Sequence, residues 1–160
     1  MIDGLLAFIV DRLNTVLQDQ EPRGEPQAIM GRLGGVQPAA TENKIIVSIA
    51  NIERETTTRG PNDHSGGRPT LNINLFVLVA ANFDNYAQAL RSLSTALTFF
   101  QSSPVMTPAT SPGFPVGIDK LTIEFVNMSF QEASNLWTIR GSLYLPSFLL
   151  KLRATASAGP

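Results

Sequence analysis

The sequence predicts an α+β domain, a mixed sheet of four to five strands with two main helices packed on it. Three observations predict this. Residues 70–102, TLNINLFVLVAANFDNYAQALRSLSTALTFFQS, change period half-way. Leu71, Ile73, Leu75, Val77 and Val79 alternate onto one side of a strand. The other side runs Thr70, Asn72 and Asn74, then Phe76, Leu78 and Ala80, so the strand starts with one wet face and ends buried on both. Tyr86, Leu90, Leu93, Leu97 and Phe100 then recur at three- and four-residue steps, the stripe of an amphipathic helix over 84–102. The second observation is a similar stripe at the N-terminus, and the third is a set of β-rich apolar runs on either side of 70–102.

Taken in order, Ile2, Leu5, Leu6, Ile9, Leu13, Val16 and Leu17 predict the first helix, Ile2–Gln20. Asp3 lies in its first turn, where negative charge suits the dipole, and Pro22, Gly24 and Pro26 stop it. Residues 27–33 have room for a short strand before Gly34, Gly35 and Pro38 break the chain. Residues 44–53, KIIVSIANIE, read as a strand. A polar loop covers 54–69, and the central strand and helix follow, with Asp84 as the expected cap. Residues 103–117 hold prolines at 104, 108, 112 and 115 and are expected to be irregular or partly extended. Residues 119–128 form the next strand. Ser129 and Glu132 make a capping box that opens a short helix through Leu136 and Trp137. Residues 144–153 form the last strand, with Pro146 indicating an edge position or a strand start. The expected organisation is one domain, 1–153, and a patternless tail, 154–160.

Composition narrows the function. The chain has no cysteine, which removes thiol nucleophiles, disulfides and cysteine metal sites together. Only 16% of residues are charged and the net charge is −1, so the basic patch that nucleic acid requires is not expected. Low charge also weakens repulsion between copies and favours self-association. No apolar run is long enough to span a bilayer, and MIDGLLAF lacks the basic start of a signal peptide, so it reads as a mature N-terminus.

Few residues point to chemistry. His64, the single histidine, sits in a Gly-rich loop without a second base or ligand, and is read as a solvated loop residue whose replacement by alanine leaves assembly intact. Asp63, His64 and Ser65 contain triad residue types, but sequence adjacency is not triad geometry. Gly31–Gly35, GRLGG, is not followed by a Lys-Ser/Thr helix and reads as a turn. No catalytic, metal or cofactor residue is assigned.

Several stretches together resemble the capping protein of phage-tail-like contractile injection systems of the antifeeding-prophage kind. They are IDGLLAFIVDRL at 2–13, ENKIIVSIANIE at 42–53, NLFVLVAANFDNYAQALRSLS at 74–94, FFQSSPV at 99–105, and GIDKLTIEFVNMSFQEASNLWTIRGSLYLPSFLLKLR at 117–153. The specificity lies in the ordered set, especially NLW followed by YLPS, and the departures fall in 21–37 and 54–68. The resemblance implies a tail-terminator-like fold and a structural role. Such a cap forms a homohexameric ring, ends the inner tube away from the target membrane and holds the last sheath layer. The implied partners are further copies of the chain, the tube protein and the sheath protein, with no cofactor, nucleic acid or membrane insertion. Assembly is expected in the cytoplasm, within a particle that can be released. An assembly chaperone of the same particle is the alternative.

The expected contacts lie on the two long loops. Arg54, Arg59 and Arg68 can fork onto partner carboxylates. Met106 and Phe114 are large apolar groups on a proline-stiffened loop, which either meet a partner or fold back onto their own core.

Overall fold

The two central strands of the sheet are 71–82 and 147–156, antiparallel to each other over ten paired residues. They lie in a computed structural model that describes residues 1–35, 39–55 and 71–156. The elements are α1 (Ile2–Gln20), β1 (Ala28–Met30), a 3-10 turn (Ala39–Thr41), β2 (Lys44–Arg54), β3 (Leu71–Asn82), α2 (Tyr86–Ser102), β4 (Val105–Met106), β5 (Lys120–Val126), α3 (Phe130–Arg140) and β6 (Ser147–Ala156). They form one six-stranded sheet in the order β1-β2-β3-β6-β5-β4. Only the β1–β2 pair is parallel, so the sheet is mixed.

The α+β class stands, but among the described residues the sheet has six strands where four to five were expected; the three helices there are the two main ones and the short one opened by the capping box. The extra strand is β4, at one edge. It is only two residues long, enclosed by Pro104 and Pro108 and too short to display a period, whereas β1, three residues long, falls in 27–33, where a short strand had room. Of the two readings of Pro146, the strand start holds and the edge position does not. β6 lies between β3 and β5, and Pro146 precedes its first residue, with its carbonyl accepting the Ala81 N–H at 2.9 Å. β6 also continues to Ala156, because Ala154 and Ala156 face inward but carry too little side chain to read as a pattern.

The alternation of β3 is visible in two cores. Ile73, Leu75, Val77 and Val79 face the larger one, with α1, α2 and the inward side chains of β5 and β6. Leu78 and Ala80 face the smaller one, with Ile46, Leu149, Leu33 and Trp137 of α3. Burying one such aliphatic side chain contributes about 1.5–3 kcal/mol, so the twenty-five buried residues of the larger core dominate the stability. α1 presents the predicted stripe: Leu5, Leu6, Ile9, Leu13 and Leu17 are buried, joined by Phe8.

α2 is turned roughly a quarter of a turn from the predicted stripe. Its buried residues are Ala89, Ser92, Ala96, Phe99 and Phe100, while Tyr86, Leu90 and Leu97 are exposed. Small side chains let α2 come close to α1 and β3, and that closeness decides the rotation against the larger leucines. Its cap is Asn85, whose Oδ1 accepts the Gln88 N–H at 3.0 Å; Asp84 instead donates its backbone N–H to Asn43 Oδ1. α3 begins with the predicted capping box: Ser129 Oγ accepts from Glu132 N–H at 3.1 Å, and Glu132 Oε2 from Ser129 N–H at 3.0 Å.

Candidate functional site

Where β5 ends and β6 begins, a cleft opens between α3 on one face of the sheet and α2 on the other. It encloses about 550 Å³ and is lined by Leu97, Phe125, Phe130, Trp137, Tyr144 and Phe148 among others, with no charged side chain in its wall. A second cleft of about 360 Å³ opens beside it and shares Phe130, Ala133, Trp137 and Tyr144. The sequence builds this wall simply. Phe130 is the first residue of α3, seven residues before Trp137, so the two project from nearly the same side of the helix. Trp137 reaches the sheet and is buried, whereas Phe130 overhangs and is 98% exposed. Tyr144, just beyond the helix, meets Trp137 edge-on with ring centroids 5.6 Å apart. The Trp137 Nε1–H is buried and has no acceptor among the described residues. Such a wall can hold apolar side chains.

α3 is locked to β2 by Arg140. Nη1 donates to Ser48 Oγ at 3.1 Å and Nη2 to the Ile49 carbonyl at 2.8 Å. Burial pushes this guanidinium below its usual range. In 31–35 the Gly31 N–H still bonds the Val47 carbonyl at 3.1 Å, and the chain bends at Gly34 and Gly35, where Gly34 packs on the Arg140 carbonyl with φ +127°. The rest of the face, away from α3, is polar: Arg153 lies between Glu55 at 3.4 Å and Glu124 at 3.8 Å, the first contact an ion pair without hydrogen-bond alignment.

The structure separates the residues expected to meet partners. Arg54 ends β2 with its side chain exposed. Arg59, Arg68 and His64 lie outside the described residues. Met106 and Phe114 face their own subunit. Met106 is 4% exposed in the larger core, and Phe114 packs against that core with its ring on Phe8. The outward apolar groups of 103–117 are Val105 and Val116, the latter fully exposed. Ser111 is buried, and Thr107 and Thr110 hold the loop through bonds to one another, so the segment is a folded-back strap. The missed surface is Phe130, Ile139, Leu143 and Tyr144, all exposed. Its signal was Ile139, which stands off the stripe that Phe130 and Trp137 share in the helix 130–140.

Among the described residues no group of three or more His, Cys, Asp or Glu is placed to hold a metal ion, and no helix is long and apolar enough to cross a membrane. Residues 5–159 match the model of the Pvc16 N-terminal domain family. The chain belongs to that family. No curated protein matches it. Among solved structures it is similar to the PVC sheath/tube terminator of an extracellular contractile injection system in the extended state. That likeness has a TM-score of 0.56 and 15% identity, over 97% of this chain and 57% of the other. It is also similar to the tube-terminating cap of the anti-feeding prophage, with a TM-score of 0.54 and 14% identity over 94% of this chain and 54% of the other. The fold of this Pvc16 N-terminal domain is thus that of tube terminators, and the chain spans a little over half the length of both. Beside the two uncharged clefts, α3 and the turn after it expose Phe130, Ile139, Leu143 and Tyr144.

Proposed function

We propose that this chain is a structural cap of a contractile injection system. It forms a homohexameric ring that ends the inner tube distal to the baseplate and anchors the last sheath layer. The observation that carries the reading is the family match over 5–159 together with likeness to two terminators over nearly the whole chain. The physical character of the subunit supports it. A ring subunit must bury surface on two neighbours and on the tube, and this chain combines low charge with exposed aromatic and aliphatic groups. Arg54, Arg59 and Arg68 are proposed to contact carboxylates of neighbouring subunits, tube or sheath. The role needs no catalysis and no cofactor. The chain acts in the cytoplasm during assembly and stays with the particle when it is released.

Electron microscopy of particles made with and without the protein tests this. Normal particles should carry added density at one tube end, and its loss should leave tubes of irregular length or sheaths detached at that end. Uniform particles without the protein would overturn the cap reading. A protein required for assembly but absent from finished particles would instead be a chaperone.

A further inference from the structure

α3 has an apolar knob and an apolar cleft on opposite sides. Ile139 follows Trp137 by two residues, which places it on the far side of the helix from the cleft wall. Ile139 is 84% exposed, and Leu143, just past the Gly141 cap, is 89% exposed. The charges nearby are already engaged within the subunit. Arg140 is turned onto Ser48 and Ile49, and Glu132 accepts the Ser129 N–H. The knob therefore meets water through uncharged groups, and the walls of both clefts are uncharged as well. An uncharged knob and an uncharged cleft are electrostatically matched, because neither strands an unpaired charge when water leaves.

We infer that the knob of one copy, Ile139 and Leu143, seats in the cleft of the next, lined by Phe130, Ala133, Trp137 and Tyr144. This rests on the ring reading above and deepens it, since it names the contact that propagates the ring. The partner is a second copy because the chain carries both halves. Ile139 and the cleft wall lie on opposite sides of one helix, so a subunit cannot fill its own cleft with it. A contact between unlike surfaces passes from copy to copy and closes into a ring when the rotation per step divides a full turn. A two-fold pairing of like surfaces would cover one half and leave the other in water.

The cysteine-free chain gives a direct test. Ala133→Cys places a thiol in the cleft wall and Ile139→Cys places one on the knob, too far around the helix for a disulfide within one chain. Particles are assembled with each single variant and with the double variant, then mildly oxidised. The double variant should give a ladder of dimers, trimers and larger species, and each single variant should stay monomeric. Dimers from a single variant would mean like surfaces meet, and a retained double variant without a ladder would place the contact elsewhere; either overturns the inference. Absence of the wild-type protein from particles would overturn the cap reading, and the inference with it. As a second measurement, Ile139→Asp with Leu143→Asp should lower retention in particles at least tenfold while leaving the isolated subunit's Tm within a few degrees. Unchanged retention of that variant would also overturn the inference.

Discussion

Phe8 of α1 and Phe114 of the proline-rich strap meet edge to face, with ring centroids 5.3 Å apart and planes at 72°. The contact closes the strap over the larger core and places its two large apolar groups on the inside. A pair of this geometry is worth about 0.5–1.5 kcal/mol beyond the area it buries. Phe114→Ser should therefore destabilise the isolated subunit by about 1–3 kcal/mol. Met106→Ala should cost about 2–5 kcal/mol, since Met106 is almost wholly buried. In a chain of this length each kcal/mol lowers Tm by about 2–4 °C. Unchanged melting with impaired assembly would return both residues to an interface.

The rotation of α2 separates two kinds of large residue on one helix. Phe100 is buried against Phe99 and Phe148, so Phe100→Ala should cost about 3–5 kcal/mol in denaturant unfolding. Leu90 stands outside the core, and Leu90→Ala should stay within about 0.5 kcal/mol of the parent. Equal costs at the two positions would mean the helix sits as its leucine stripe suggests.

Asn14 anchors the short edge strand. Its Oδ1 accepts the backbone N–H groups of Gln27 and Ala28, each at 2.8 Å, and its Nδ2 donates to the Ala28 carbonyl at 2.8 Å. Asn14→Ala leaves those part-buried groups without their partner and should cost about 1–3 kcal/mol. Hydrogen exchange should locate the loss. The Gln27 and Ala28 amides are expected to exchange faster, while those of β3 change only as much as global stability does. Uniform loosening of the whole sheet would contradict this local role.

Gly34 is held at φ +127° with its Cα against the Arg140 carbonyl, so a side chain there meets both an unfavourable backbone conformation and the end of α3. Gly34→Ala should destabilise by at least about 1–3 kcal/mol. Gly35→Ala should cost less, because a Cβ at Gly35 meets open space even though its φ is also positive. Thermal unfolding of the pair separates close packing from backbone conformation; a larger loss at Gly35 would reverse the assignment.

The sequence by itself determined much of this protein. Periods of two and of about three and a half residues located β2, β3, β5, α1 and α2, and Ser129 with Glu132 located the start of α3 to the residue. These signals are local: they depend on side-chain spacing and on hydrogen bonds between near neighbours. The ordered resemblance along the chain named the family before any contact was known, and the family match agrees. The tertiary structure decided what depends on residues far apart. It made β6 a central strand, because β3 pairs with it along its length although the two lie more than sixty residues apart. It turned α2 onto Ala89, Ser92 and Ala96, because close approach to α1 and β3 favours small side chains over large ones. It drew Met106 and Phe114 inward, where Phe8 waits on another element. It left Phe130, Ile139 and Leu143 outward, because α3 turns Leu136, Trp137 and Arg140 towards the sheet. Spacing along a chain fixes which residues share a side; which side is covered depends on the elements that pack against it.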